Sequence, residues 1–252
     1  MRTIGSPESI DIPTTMREVT ETLGGVVLDD AMDTASKKAD YWFPDDNVVA
    51  ELKCLSEDLS QKPDFKRRLT ALHRSWVQRG LLPRPSSRTL RFDLRSLPAQ
   101  CASEFLDPLK RRFEGTVRDA NRQIRESKKT LGVPDAVGLL LLANDGNFMF
   151  PPTMLVHLLW RVLNKQHSSI DHVILFSANV NVKVPGASEQ GPFWIEVVPE
   201  ARRAMTTGFL DRLEVQWMAS ISRLLPGITE VQFQATQEAL DEMQFIVEQK
   251  LP

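Results

Sequence analysis

The stretch Lys38-Ala39-Asp40-Tyr41-Trp42-Phe43-Pro44-Asp45-Asp46-Asn47-Val48-Val49-Ala50-Glu51-Leu52-Lys53-Cys54-Leu55 decides the reading of this chain. Aromatic and β-branched residues on both flanks favour strands at 38–43 and 48–55. Pro44-Asp45-Asp46-Asn47 between them is turn chemistry, so the segment reads as a β-hairpin. With a four-residue turn Phe43 pairs with Val48, and counting back sets Asp40 opposite Glu51. Side chains directly opposed across an antiparallel pair have Cβ atoms about 5 Å apart. Residues two apart on a strand share a face. Glu51 and Lys53 therefore project together, while Ala50, Leu52 and Cys54 pack into the sheet.

Two carboxylates that close repel each other unless a cation sits between them. A hard divalent ion, Mg²⁺ or Mn²⁺, suits oxygen ligands of this kind and keeps several waters. Lys53 on the same face could orient or deprotonate a water, or offset charge on a phosphate in flight. The bland alternative is a solvent-facing hairpin with a cross-strand charge cluster, which like-charge repulsion disfavours. The string E-x-K is weak by itself. It occurs at 51–53, 126–128 and 248–250, where average composition predicts about one. The second and third are expected on helices, where residues two apart diverge. Asp45 also precedes Glu51, but it sits in the turn, and the extended strand from Val48 already spans about 10 Å. Asp40 is the expected ligand.

Working outward, a helix is expected at 14–23, stopped by Gly24-Gly25, then a short strand at 25–29. A basic amphipathic helix follows at 63–80, then an exposed alternating strand within 88–97. A long helix at 99–131 carries Phe113, Val117, Ala120 and Ile124 as its buried stripe. The strand at 136–143 is apolar throughout and therefore buried on both faces, which favours an α/β sheet. Downstream the pattern predicts a helix at 152–164, strands at 172–178 and 193–198 and a helix at 208–225. A strand near 228–233 and a C-terminal helix from about 236 complete it. Residues 1–13 read as loosely attached. With no internal repeat and no low-complexity linker, the expectation is one α/β domain over 1–252.

Helix, strand, Asp-bearing strand, hairpin into an apolar strand with E-x-K, helix, buried strand: this order resembles the αβββαβ core of the PD-(D/E)XK nuclease superfamily, whose fold is restriction-endonuclease-like. The resemblance covers about 14–145, with 146–252 as a C-terminal α/β elaboration on a mixed central sheet flanked by helices. It implies Mg²⁺- or Mn²⁺-dependent hydrolysis of phosphodiester bonds, in DNA before RNA. Asp40 and Glu51 would then be metal ligands and Lys53 catalytic. Ala39 stands where the family name has Pro, and the insertion after Lys53 exceeds a minimal core. An accessory acid on the first helix would be Glu18 or Glu21, with Glu21 taken as the third metal residue. A polar residue on the helix after E-x-K would be Gln123 or Lys128, and Gln123, beside buried Ile124, is taken as catalytic. The rival from another class is a nuclease-fold protein without activity, serving as a nucleic-acid-binding or assembly module.

The bulk figures are compatible with this. The chain has 252 residues, 42% hydrophobic and 25% charged, with net charge −2. That average hides an asymmetry: 1–61 carries 5 Lys/Arg against 13 Asp/Glu, and 62–129 carries 18 against 7. The basic region 62–129 is the expected contact for nucleic acid, although a solvated basic helix face would look the same. Cys54 and Cys101 make no CxxC pair, so neither a disulfide framework nor a zinc site is expected. The N-terminus lacks a signal-peptide pattern, and no apolar run approaches membrane length. A cytoplasmic protein is expected. There is no GxSxG, P-loop or GxGxxG, and the four histidines lack ligand spacing. Trp76, among arginines, is expected to be core rather than a base-stacking platform. The apolar helix near 153–163 reads as core or as an oligomer interface.

Overall fold

The computed structural model describes residues 9–31, 38–58, 61–84, 89–93, 96–147, 152–179, 182–183, 190–198, 203–225 and 246–250. In chain order the elements are α1 (Ile12–Thr22), β1 (Val26–Val27), α2 (Leu28–Ala31), β2 (Tyr41–Phe43), β3 (Val48–Leu55), α3 (Pro63–Gln78), β4 (Thr89–Asp93), α4 (Ala99–Thr130), β5 (Val137–Asn144), α5 (Pro152–Gln166), β6 (His172–Ser177), β7 (Val182–Lys183), β8 (Gln190–Gly191), β9 (Trp194–Val197), α6 (Phe209–Leu224) and β10 (Ile246–Lys250). They group into two compact units. One is drawn from the described residues of 1–55, 120–145 and 168–233, the other from those of 56–119, 146–167 and 234–252.

The first unit is an α/β layer structure built on a six-stranded mixed sheet, in the order β1-β2-β3-β5-β6-β9. β3, β5 and β6 run parallel; β1 and β2 extend the sheet antiparallel on one side and β9 does so on the other. Every residue of β5 is buried, as a central parallel strand requires. The hairpin register is the one its turn dictates: Phe43 pairs with Val48, Trp42 with Val49 and Tyr41 with Ala50. Asn47 closes the turn at φ 54°, donating its N–H to the Pro44 carbonyl at 3.2 Å.

Helices cover both faces. Ile12, Met16 and Val19 of α1 and Phe209, Leu213, Trp217 and Ile221 of α6 pack on one face, against Val48, Ala50, Leu139, Leu141, Ile174 and Phe176. Phe176 and Trp217 meet edge to face at 4.9 Å, as do Phe43 and Phe209 at 5.0 Å. Burial of these apolar side chains, at roughly 25 cal/mol per Å², is the main driving force here. The last turns of α4 lie on the other face, where Ile124 approaches Gly138.

In the second unit α3 buries Leu69, His73 and Trp76, spaced as one helix face. Trp76 is core, its Nε1 donating to Glu104 at 2.8 Å while Arg79 grips the same carboxylate. β4 pairs antiparallel with β10. That corrects the expected C-terminal helix over 246–250. An alternating edge strand at 89–93 needs a ladder partner, and that pairing overrides the helical preference of Glu248, Gln249 and Lys250. The expected strand near 228–233 lies outside the described residues, as do residues 1–8 of the loosely attached N-terminus. No helix among the described residues is long and apolar enough to cross a membrane.

Two strands are shorter than expected. Val26–Val27 gives way to the turn of α2, and Lys38, Ala39 and Asp40 stand outside the β2 ladder. Lys38 and Ala39 turn to α4, where Gln123 donates to the Lys38 carbonyl at 2.8 Å and Ala39 N–H donates to Ser127 Oγ at 2.8 Å, while the Asp40 carbonyl accepts from the Leu28 N–H at 2.8 Å.

Gly138 has the least room for a side chain among the described glycines of this unit. A Cβ there would stand 1.7 Å from the Ser169 carbonyl oxygen and 3.0 Å from Ile124. Because the obstacle is backbone, Gly138→Ala should cost about 3 kcal/mol or more, at or above the upper end of ordinary overpacking. Urea unfolding measures it. Stability equal to wild type would mean that β5 and the 168–171 segment are not packed this closely.

Candidate active site

Asp40, Glu51, Lys53 and Gln123 come together on the α4-facing side of β3. Strand alternation sends Ala50, with Leu52 and Cys54, toward the α1/α6 core, and Glu51 and Lys53 to the other face. That face is covered rather than open to solvent. Glu51 is 0% exposed, and its Oε1 is paired with Lys53 Nζ. Lys53 Nζ also donates to Gln123 Oε1 at 3.0 Å, and Gln123 is itself held by the Lys38 carbonyl. Asp40 is anchored by the Leu52 N–H, which donates to its Oδ2 at 2.7 Å. This bond takes the place of a further rung of the ladder, so the carboxylate that ends β2 is fixed beside Glu51.

The electrostatics follow from this burial. The Glu51 carboxyl is pushed up to about 8, first by desolvation and next by the charge of Asp40, with Lys53 offsetting only part. Asp40 is also raised, chiefly by desolvation, although the Leu52 N–H and Lys53 oppose this. Glu51 Oε2 is buried and receives no hydrogen bond from a nitrogen or hydroxyl donor among the described residues, and the Asp40 carboxyl is close enough for the two to share a proton. A buried oxygen left with neither costs about 1–3 kcal/mol, more if charged. A divalent cation shared with Asp40 would satisfy it, so the donor set fits a hard metal ion with two protein carboxylates and otherwise water.

Other expected residues lie elsewhere. Glu18 and Glu21 are exposed on α1, the helix that packs on the opposite face of the sheet. Glu21 is therefore not brought to Asp40 and Glu51. Among the described residues no group of three or more His, Cys, Asp or Glu is placed to hold a metal. Asp45 is exposed in the turn. Lys128 is buried against Ser169 and Asp171. The third E-x-K, 248–250, lies on a strand after all, but Arg91 stands opposite Glu248, so no carboxylate pair forms in that register.

Asp29 and Ser127 escaped the sequence reading. Asp29 adds its charge to Asp40 and stands 3.9 Å from Lys38 Nζ. Ser127 anchors Ala39. Ser127 is four residues beyond Gln123 on one helix face, a spacing that could have found it. Asp29 left no such signal. No family model, curated protein or solved structure matches the chain.

The buried carboxyl has a consequence for stability. A folded-state pKa raised from the ordinary 4.5 to about 8 means that the native protein holds this proton more tightly than the unfolded chain. The associated stability is fully present below about 4.5 and is lost as pH rises through about 8. Urea unfolding in a chelator at pH 5, 6.5 and 8 should show a decline in wild type that Glu51→Gln largely removes. Equal slopes in the two proteins would contradict the burial of Glu51.

Proposed function

We propose that this chain is a metal-dependent nuclease of the PD-(D/E)XK type, acting on phosphodiester bonds with DNA as the preferred substrate. One observation carries the reading: a fully buried Glu51 carboxyl held against the carboxyl of Asp40 and paired with a lysine two residues along the same strand. The element order is compatible with it, since α1, β1, β2, β3, α4 and β5 follow one another as αβββαβ once α2, α3 and β4 are set aside. Mg²⁺ or Mn²⁺ held by Asp40 and Glu51 would supply Lewis-acid polarisation of the phosphoryl group. Glu51 and Asp40 would hold that ion and match its charge. Lys53 Nζ, positioned by Glu51 and Gln123, retains a third N–H for a phosphoryl oxygen or for the attacking water. Gln123 keeps the ammonium on the β3 face and is a positioning residue.

The nucleic-acid partner is proposed to be gripped by the basic region 62–129, whose Arg67 and Arg68 are exposed on α3. Contacts of that kind go to phosphates and carry no sequence information. A second reading, a nuclease-fold binding or assembly module without activity, is favoured by one observation: among the described residues no third acidic ligand joins Asp40 and Glu51, because Glu21 lies on the helix of the opposite face.

Cleavage assays on plasmid, linear, single-stranded and RNA substrates, with and without Mg²⁺, separate the two. Glu51→Gln should abolish cleavage. Lys53→Ala removes no ligand and should retain metal binding while turnover falls about 10²-fold or more. Melting curves must accompany the assay, because an unfolded variant imitates a dead site. A folded Lys53→Ala protein that cuts at the wild-type rate would remove the hairpin as the active site, and no cleavage of any substrate by wild type would favour the binding module.

A further inference from the structure

The first unit contains a cavity of about 420 Å³, lined by the end of α4, the turn at Pro134, residues 168–171 and Arg203. We propose that it binds a phosphate monoester group carried by a small ligand. Among the described residues Arg125, Lys128, Lys129 and Arg203 all line it, against Asp171 as the carboxylate of the wall. Asp171 is already committed. Its Oδ2 accepts from the Gly138 N–H at 2.8 Å and stands 3.5 Å from Lys128 Nζ, and its Oδ1 accepts from the Arg203 N–H at 3.4 Å. Its charge is spent inside the wall, and the positive groups outnumber it.

These cations are held in place but incompletely satisfied. Lys128 is 7% exposed, and its Nζ reaches the Ser169 carbonyl at 3.2 Å and Asp171 at 3.5 Å. Both contacts are long for a charged donor, whose bonds ordinarily run about 2.7–2.9 Å. Burial lowers the pKa of this lysine, with Asp171 opposing. The Arg203 guanidinium is oriented by the carbonyls of Pro134 and Ala136 at 3.2 and 3.4 Å. His172 braces its backbone, with Nε2 2.9 Å from the Arg203 carbonyl. The acidic partners of Arg203 and Arg125 are Asp135 and Glu126, 88% and 44% exposed. Exposed pairs of this kind are worth little and exchange readily for a better anion. Lys129 is exposed at the rim.

The plain alternative is that the last-turn lysines complement the negative end of α4. That role needs neither a cavity nor an arginine brought from beyond β9. Several cationic donors converging on one space suit a tetrahedral dianion better than a planar carboxylate. The volume falls within the ordinary range for a small-molecule site. The cavity shares only α4 with the Asp40/Glu51 cluster, which takes Gln123 from that helix.

Calorimetry on the full chain in a chelator tests the proposal, with inorganic phosphate, adenosine 5′-monophosphate, adenosine and a 5′-phosphorylated oligonucleotide as probes at fixed ionic strength. Phosphate and the monophosphate should bind saturably, with adenosine giving no heat. The double variant Arg125→Ala/Lys129→Ala, both exposed positions, should weaken that binding at least tenfold with an unchanged melting temperature. If only the oligonucleotide loses affinity in the double variant, these two residues serve the nucleic-acid grip of 62–129 and the small-ligand proposal is overturned. Heats that fail to saturate, that sodium chloride reproduces, or that survive in the double variant would overturn the site itself.

Discussion

A carboxylate removed from water within a sheet is an expensive group, and Glu51 is such a group. Its neighbours are arranged around that fact. Several kcal/mol of desolvation attend an ion in this position, and one lysine, Lys53, offsets part of the charge. Gln123 then holds Lys53, while the carbonyl of Lys38 holds Gln123. Asp40, tied to the Leu52 N–H, adds a second negative charge where a stability-driven arrangement would have placed none. Stability alone would favour an apolar pair on this face of β3. Retention of two carboxyls and an ammonium under a helix makes chemical sense when a cation visits them.

The hairpin was legible because its signals are local. Turn residues fixed the loop length, loop length fixed the register, and the period of two fixed which residues share a face. The Tyr41–Ala50 rung places Asp40 next in line beside Glu51. Gln123 was half legible: its helix face was readable from Ile124, but the side of the sheet that helix covers was not. The same ignorance misplaced Glu21. The apolar stripe of Ile12, Met16 and Val19 shows that α1 packs somewhere, and only the sheet shows that it packs opposite Glu51. The strand at 246–250 was illegible for a related reason, since its partner lies more than 150 residues away.

α4 links these features without being a site in itself. One stretch of five residues sends Gln123 to Lys53, Ile124 against Gly138 and Ser127 to the start of the hairpin. The next residues, Lys128 and Lys129, face the 420 Å³ cavity. The excess of positive charge in 62–129 therefore has more than one destination. Part of it is structural, as in the Arg79–Glu104 grip, and part lies around a cavity rather than on an open surface.

The account depends on Asp40 and Glu51 sharing a cation. Manganese binding followed by electron paramagnetic resonance, on wild type and on Asp40→Asn, tests this most directly. Asp40→Asn keeps the size of the side chain and an oxygen to accept the Leu52 N–H, but removes the charge. The account predicts one weak site in wild type, since few protein ligands leave most of the shell to water, and its loss in the folded variant. Equal manganese binding by the two proteins, or none by wild type, would contradict it.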